Sequence, residues 1–232
     1  MRELLIRYAI KYKGSYAAVR KAVREHEYIS DIPLQKAITI LDEDYPAGLL
    51  QLKYPPYVLF YCGNKELLNQ ESIAVVGSRE ACNYGINVTE MLVRRLSGTY
   101  VIVSGMAKGI DAVAHWNASR SIGVLGNGLD ISYPACNKDL YQHIREKGLL
   151  ISEYPLGTSP RREHFPFRNR IMAALASKVI VCQASEKSGT MLTVNEALEL
   201  GKDIYVVPYR ITDSEGRGCN SLIQQGANII VL

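Results

Sequence analysis

The sequence of 232 residues lacks any apolar run near the roughly 18 residues that a membrane span needs. Its first residues, MRELLIRYAIKYKG, carry charges inside the apolar stretch, which is not typical of a signal peptide. No CxxC pair is present, so neither a disulfide framework nor a zinc site is expected. We expect a cytoplasmic protein without membrane contact, with buried free thiols at the scattered cysteines Cys62, Cys82, Cys136, Cys182 and Cys219.

Motifs of the common catalytic and nucleotide-binding sites are also missing. The chain has no G-x-G-x-x-G dinucleotide fingerprint, no P-loop and no G-x-S-x-G elbow. Asp111 and His115 lie four residues apart on one predicted helix, but no third ligand follows at metal spacing, and we interpret both as structural. Trp116, next to His115, is predicted to be a core residue. We expect no catalytic residue, no metal and no cofactor.

Most of the chain carries no excess of positive or negative charge. The net charge is +4, and residues 1–30 carry all of it, with seven basic against three acidic residues. The other 202 residues therefore balance at 20 basic and 20 acidic. Because bulk charge does not demand a polyanionic partner, such a partner has to be inferred from local clusters.

The first 44 residues form a predicted helical prefix. Apolar residues at helical spacing predict helices over 2–12 and 15–26, and Pro33 opens a third helical stretch up to Leu41. The prolines of Tyr45-Pro46 and Tyr54-Pro55-Pro56 mark a connector, because proline excludes helix. We therefore predict a prefix at 1–44 and a larger domain at 45–232.

The larger domain alternates apolar β-branched runs with helical segments. The runs lie at 58–61, 73–76, 100–103, 122–125, 149–152, 179–182, 204–207 and 228–232, and they suit strands buried on both faces. Helices are predicted over 84–97, 109–120, 137–147, 168–177, 190–200 and 219–225. This alternation predicts an open, doubly wound α/β fold with a mostly parallel sheet. A closed eight-stranded barrel is disfavoured, because the first strand has no clear following helix.

Glycine, serine and basic residues recur directly after these strands. The strand ends read VVGSR (75–79), VSGMAKGID (103–111) and VCQASEKSGT (181–190). Carboxyl ends of parallel strands meet at one edge of a sheet, and glycine turns that lead into helices present backbone amides to anions. Each turn alone is more typical of a tight connection between strand and helix. Together they predict anion binding at this edge.

A second cluster lies at 159–170, with the sequence SPRREHFPFRNR. Arginine makes bidentate contacts to phosphate, and exposed phenylalanine offers a face for base stacking. This mixture on an irregular loop suits single-stranded nucleic acid better than a duplex, because no helix is arranged to enter a groove. The alternative is that both phenylalanines pack inward and the arginines pair with acids, for example Glu153 with Arg168 or Arg170.

Residues from Tyr45 onward resemble the DNA processing protein A family (DprA, also called Smf). The matching stretches include IAVVGSREACNYG, IVSGMAKGIDAVAH, LLISEYPLGTSPRREHFPFRNRIMAALA and SGTMLTVNEALELGKDIYVVP, in the family's order. The resemblance implies an extended Rossmann-like domain that binds single-stranded DNA without sequence preference. It further implies a homodimer, not an enzyme, that protects incoming DNA in natural transformation and helps to load a RecA-type recombinase.

The resemblance also assigns binding residues. Gly77, Ser78 and Arg79 match the GSR loop, and the SGMAKGID and SGT segments match the other parts of the family's binding pocket. With the basic-aromatic loop, we expect Arg79, Arg168 and Arg170 to neutralise phosphates and Phe165 to stack on a base. The remaining predicted nucleic-acid contacts are Ser104, Gly105, Lys108, Gly109, Arg161, Arg162, Asn169, Ser188, Gly189 and Thr190.

The sequence also departs from the family pattern. Gln183 stands where an acidic residue is usual, and the prefix is a reduced form of the family's SAM-like region. The chain stops after the last predicted strand, so no C-terminal winged-helix domain is expected. The alternative function is that of a nucleotide-like small-molecule binding protein or phosphoribohydrolase of the same superfamily fold. Against that alternative, Thr193 and then Glu196 follow the SGT turn, which does not reproduce the catalytic pairing of such hydrolases.

Overall fold

Nine strands form one sheet in the computed structural model, which describes residues 1–231. The strand order is β1-β2-β6-β5-β4-β3-β7-β8-β9, and only the β1–β2 and β2–β6 pairs are antiparallel. The strands are β1 (Ala37–Thr39), β2 (Val58–Gly63), β3 (Ser72–Gly77), β4 (Val101–Ser104), β5 (Ser121–Leu125), β6 (Leu149–Ser152), β7 (Lys178–Gln183), β8 (Asp203–Val206) and β9 (Asn228–Ile229).

Eight α-helices cover the two faces of this sheet. Helices α6, α7 and α8 pack on one face, and α1 to α5 pack on the other. Their bounds are α1 (Arg2–Lys11), α2 (Tyr16–Arg24), α3 (Asn83–Leu96), α4 (Ile110–Asn117), α5 (Lys138–Lys147), α6 (His164–Leu175), α7 (Thr190–Glu199) and α8 (Arg217–Gln224). Every one of these helices is too short or too polar to cross a bilayer.

Side chains of the central strand β3 alternate between the two faces, as the pleat requires. Ala74 and Val76 enter the core beneath α6 and α7, while Ile73 and Val75 enter the core beneath α3 and α4. All four are nearly inaccessible to solvent. Burial on both faces explains why these runs are continuously apolar rather than alternating.

The chain reverses direction across the sheet at β3. Strands β4, β5 and β6 follow on one side of β3, and β7, β8 and β9 follow on its other side. This is the extended Rossmann-like, doubly wound arrangement that the sequence predicts. Ligands of such sheets bind at the carboxyl ends of the strands, where the winding changes side.

One predicted element of the prefix is wrong. Residues 33–41 contain no helix; Ala37–Thr39 form β1, which pairs antiparallel with β2 in the register Ile38 to Leu59. All three residues of β1 are buried, and Ile38 packs in the main core. Tertiary pairing with β2 therefore decides the conformation of this short segment, which local spacing alone does not.

The prefix packs against the same sheet. Buried residues of α1 and α2, including Tyr8 and Val19, share a core with Phe60 of β2 and Leu150 of β6. Because β1 lies inside the range predicted as a prefix, a domain boundary near residue 45 stays a prediction. The last predicted run begins as β9, and its final residue, Leu232, lies outside the described residues.

The ends of α6 differ from the prediction. The helix begins at His164 rather than near Arg168, and Pro166 lies in its first turn. Proline is tolerated there because first-turn amides have no partner within the helix. The first turn therefore carries the aromatic part of the basic loop on a helix.

Two expectations about burial are wrong. Trp116 is half exposed at the end of α4 rather than buried in the core. Of the cysteines, only Cys182 and Cys219 are buried, whereas Cys62 and Cys82 are half-buried and Cys136 is exposed. All five are free thiols.

Candidate nucleic-acid interface

A cleft of about 650 Å³ opens at the carboxyl ends of the central strands, beside the switch in winding. We call it the basin. It is lined by the loop after β3, part of the loop after β4, the turn before α7 and the first turns of α6. Its main side chains are Arg79, Tyr133, Arg162, Phe165, Arg168 and Ser188.

Arg79 and an aromatic pair form the exposed wall of the basin. The rings of Phe165 and Tyr133 stack, with centroids 5.4 Å apart and planes 26° from parallel. The Arg79 guanidinium lies 5.8 Å from the centre of the Phe165 ring. Arg79 is exposed and forms no ion pair within residues 1–231. The wall thus offers a free cation beside a flat apolar surface.

Glycines bring the Arg79 loop close to α4. A Cβ on Gly77 would lie 2.6 Å from the Ile110 side chain, and one on Gly109 would lie 2.3 Å from the Ser78 carbonyl oxygen. Gly109 also has a φ of +71°, a backbone conformation that residues other than glycine rarely adopt. The predicted residues Gly77 and Gly109 therefore serve close backbone packing, and the Ser78 carbonyl accepts the Ile110 amide at 3.1 Å.

Gln183 holds the other side of this loop. Its carbonyl oxygen accepts the Ser78 amide at 2.9 Å, and its side-chain oxygen accepts the Cys82 amide at 3.0 Å. The side-chain amide also donates to the Glu80 carbonyl. Gln183 therefore fixes the turn that carries Arg79. The sequence identifies Gln183 only as a departure from the family pattern and does not predict this structural role.

Two amides of the loop after β4 point into the protein. The carboxylate of Asp111 accepts the amides of Gly105 and Ala107, each at 3.2 Å. Ser104 is fully buried and donates to the Val75 carbonyl at 2.6 Å. Contrary to the prediction, Ser104 and the Gly105 amide face the protein rather than a ligand. The buried Asp111 carboxylate, which needs hydrogen-bond donors, turns the Gly105 amide inward, and the Val75 carbonyl holds the Ser104 hydroxyl.

Arg168 forms the floor of the basin. Its guanidinium donates to the Gly105 carbonyl at 3.0 Å and contacts the Met172 sulfur, and its Nε has no partner within residues 1–231. A Cβ on Gly105 would lie 1.8 Å from this guanidinium, so a larger residue there would displace the Arg168 side chain. Burial lowers the pKa of Arg168, and Asp111 opposes the shift. Arg168 thus lends positive charge from beneath, beside Asn169.

Arg170 does not reach the basin. Its guanidinium makes a bidentate ion pair with Glu153, at 2.7 and 2.8 Å, and donates to the Tyr54 and Phe167 carbonyls. It also lies 3.7 Å from the centre of the Phe167 ring and is only 3% exposed. The expectation that Arg170 neutralises a phosphate is therefore corrected. Of the two arginines that were open as partners of Glu153, Arg170 is the one that pairs.

The SGT turn forms a further part of the lining of the basin. Ser188, Gly189 and Thr190 line the cleft at the start of α7. The Ser188 hydroxyl is buried and has no hydrogen-bond partner in the described part of the chain. A hydroxyl that is free to donate fits an anionic oxygen.

Six predicted contacts do not line the basin: Ser104, Gly105, Lys108, Gly109, Arg161 and Arg170. Lys108 is exposed on the loop after β4 and does not line the cleft. Arg161 is exposed as well, but it lines a second cleft on the other side of α6. Sequence reasoning missed Tyr133, which the loop after β5 brings against Phe165. Only its position after a strand end pointed to this edge.

His115 and Asp111 are structural, as the sequence predicts. His115 is fully buried, and its Nδ1 lies 2.5 Å from the Ser121 hydroxyl. Burial raises the pKa of the Asp111 carboxyl, which Arg168 opposes. Among residues 1–231, no cluster of histidine, cysteine and acidic residues is arranged to hold a metal ion.

The buried His115 predicts a loss of stability in acid. Burial lowers its pKa from 6.5 to about 3, so between these values the unfolded chain binds a proton that the folded chain excludes. The contribution of His115 to the free energy of unfolding is therefore fully present well above pH 6.5 and falls as the pH drops towards 3. From pH 6.5 to 5 we expect a loss of about 2 kcal/mol from this group. Urea unfolding at both values should show a smaller loss for His115→Gln; equal losses would contradict the assignment.

An open α/β sheet with a cationic, aromatic cleft at its switch point defines a Rossmann-like binding protein, here suited to anionic, base-bearing ligands. Residues 36–231 match the model of the DNA recombination-mediator protein A family. The chain belongs to this family, whose curated members include DNA processing proteins.

Relatives of known structure share the fold. The chain is 42% identical over 198 residues to DNA processing protein DprA of Streptococcus pneumoniae, covering 84% of this chain and 70% of that protein. The solved structure of the pneumococcal protein superposes with a TM-score of 0.81 at 38% identity, covering 92% of this chain and 78% of that chain. The structure of DNA processing protein A from Helicobacter pylori, described for its single-stranded DNA binding mode, superposes with a TM-score of 0.79 at 34% identity, covering 85% and 92%.

Other curated relatives are longer than this chain. Protein Smf of Synechocystis is 39% identical over 199 residues, and the match covers 82% of this chain but only 50% of that protein.

Proposed function

We propose that this chain binds single-stranded DNA in the basin without sequence preference. The observation that carries the proposal is Arg79, which is exposed, forms no ion pair within residues 1–231 and lies beside the stacked Phe165 and Tyr133 rings. A cation beside an aromatic platform suits a phosphate followed by an unpaired base. The Helicobacter pylori relative, whose structure is described for its single-stranded DNA binding mode, supports the same ligand.

Each side of the basin has a role in this proposal. Arg79 and Arg162 contact phosphate oxygens, and Ser188 donates a hydrogen bond to the same backbone. Phe165, backed by Tyr133, stacks on one base. Arg168 adds positive charge from the floor, where it also fixes the Gly105 loop. These groups meet the backbone and the faces of bases, which every sequence shares.

The proposed role is binding rather than catalysis. Glu196, the nearest acid along the chain after the SGT turn, does not line the basin. The acids that line the cleft are Glu80 at its rim and Asp111, whose Oδ2 accepts two backbone amides. Hydrolysis of nucleoside monophosphates by the purified chain would contradict this assignment.

We further propose that the chain acts in the cytoplasm as a homodimer that protects incoming DNA during transformation and passes it to a RecA-type recombinase. Membership of a recombination-mediator family supports this role. Light scattering of the purified chain tests the dimer, since the expected mass is twice 25.8 kDa. A monomer at all concentrations would contradict it.

A salt titration tests DNA binding directly. We expect a gel shift with single-stranded DNA and a much weaker one with duplex of equal length. Affinity for oligothymidine should fall with salt, with a slope of about −0.7 for each phosphate neutralised. A wild-type slope of zero, or equal binding of duplex, would contradict the proposal.

A further inference from the structure

A second cleft, of about 840 Å³, lies on the other side of α6 from the basin. We call it the prefix cleft, because one of its walls is the turn between α1 and α2. The other wall is the loop before α6 together with the helix's first turn. The residues that matter here are Lys13, Tyr16, Tyr54, Thr158, Arg161 and Phe167.

The first turn of α6 separates the two clefts. Arg161 lines the prefix cleft and Arg162 lines the basin; likewise Phe167 faces the prefix cleft and Phe165 faces the basin. The ridge between them is one helix wide, about 10 Å. A flexible polymer that fills the basin therefore reaches the prefix cleft after crossing a single helical turn.

The prefix cleft carries free positive charge. Lys13 and Arg161 are both exposed, and neither forms an ion pair within residues 1–231. Lys11, in contrast, pairs with Glu27, and Glu163 is the acid that lines this cleft. Two unpaired cations face one acid, so the cleft attracts anions.

Two further features point to an anionic oxygen. Thr158 is 5% exposed, lines the cleft, and its hydroxyl has no hydrogen-bond partner in the described chain. The nine-residue helix α2 begins at the cleft, and the side chain of its N-cap, Ser15, makes no capping bond. The first amides of a helix lack partners and carry partial positive charge. A buried free hydroxyl and an open helix start thus both lie beside the free cations.

Aromatic rings supply the rest of the site. Tyr16 packs edge-on to Tyr54, with centroids 5.4 Å apart, and stacks on Tyr57 at 5.2 Å. Phe167 meets Tyr16 from the α6 side at 6.4 Å. Tyr54 stays 38% exposed, which leaves ring surface for a planar ligand. Cations next to an exposed ring repeat the chemistry of the basin.

We propose that the prefix cleft is a second nucleotide subsite for the same single DNA strand, an inference that rests on the proposed function of the basin. The strand leaves the basin at Arg162, crosses the first turn of α6, and places a phosphate between Lys13 and Arg161. The next base lies against Tyr54. The prefix thereby takes part in DNA binding instead of serving only as a support for the sheet.

The test uses the full chain and labelled oligothymidines of about four, eight and twelve nucleotides, with binding followed by fluorescence anisotropy. The variant is Lys13→Gln/Arg161→Gln. The matched control is Arg95→Gln/Lys147→Gln, which removes the same charge from exposed residues at the ends of α3 and α5. These helix ends lie at the opposite edge of the sheet, because helices run antiparallel to the strands that they connect.

We expect the variant to match wild type on the shortest oligomer and to bind the longest about tenfold more weakly. Its salt slope on the longest oligomer should be shallower by about 1.4, for two phosphates. The control should follow wild type throughout. No loss at any length, or a loss equal to that of the control, would overturn the second subsite while leaving the basin intact. Failure of wild type to bind any length would instead overturn the proposed function.

A measurement on wild type alone guards against a variant that misfolds. Oligothymidines carrying a photoreactive iodinated base at one end are crosslinked to the chain, and the attached peptides are mapped. With the longest oligomer we expect attachment at Tyr54 or Tyr16 in addition to Phe165. Attachment only at Phe165 and Tyr133 at every length would overturn the second subsite.

Discussion

Replacing Arg79 with alanine is expected to weaken single-stranded DNA binding about thirtyfold. Arg79 is the exposed cation of the basin beside Phe165, and a charge-assisted contact to phosphate contributes about 2 kcal/mol. The loss should be the same for all sequences, because phosphates carry no sequence information. The salt slope should become shallower by about 0.7. Anisotropy titrations at several salt concentrations measure both quantities.

Arg95→Ala is the control for Arg79→Ala. Arg95 is also exposed and has the same charge, but it lies near the end of α3, away from the basin. Its removal should change affinity less than twofold. If the two variants lose affinity equally, the effect is general electrostatics and the basin is not the binding site. Thermal unfolding should be unchanged in both, since neither side chain is buried.

Replacing Glu153 with glutamine is expected to lower the free energy of unfolding by about 3 kcal/mol. The change leaves the Arg170 guanidinium buried without its partner, and uncompensated buried charge is strongly destabilising. Urea unfolding measures the effect. Glu90→Gln is the control, because the Glu90–Arg94 pair is exposed and spaced four residues apart on α3. That pair should contribute less than about 0.5 kcal/mol.

The same pair separates a structural role for Arg170 from a DNA contact. In Glu153→Leu/Arg170→Met both charges are replaced by apolar groups of similar size, and we expect much of the lost stability to return. This folded double variant should bind oligothymidine within about twofold of wild type. Substantial loss of affinity with wild-type stability would instead place Arg170 in the interface.

The sequence was a good guide to the parallel core of the fold and a poor one to its antiparallel edge. Runs such as Ile73–Val76 are apolar on both faces, and that pattern is typical of a buried parallel strand. The three residues of β1 have no such pattern. Their conformation depends on pairing with β2, some twenty residues away, which local periodicity does not report.

The sequence predicts the edge of the sheet at which the candidate site lies, but not the directions in which its side chains point. Arg79, Phe165 and Ser188 meet in the basin because strand ends converge, and this follows from topology. Arg168, Asn169 and Arg170 are consecutive on α6 and therefore point in different directions, about 100° apart per residue. Which of them faces the basin depends on where the helix begins. The sequence predicts a start after Pro166, near Arg168, whereas the helix begins at His164.

The two inward-pointing amides of the loop after β4 limit which parts of the candidate site can change by substitution during evolution. Asp111 already engages the Gly105 and Ala107 amides, so neither amide is free to bind the proposed ligand, and the loop has to keep its conformation. Under the proposed function, affinity for a polynucleotide then depends on a few solvent-exposed side chains, among them Arg79 and Arg162. Natural selection or protein engineering can raise or lower that affinity by single substitutions at exposed positions, without changing the fold.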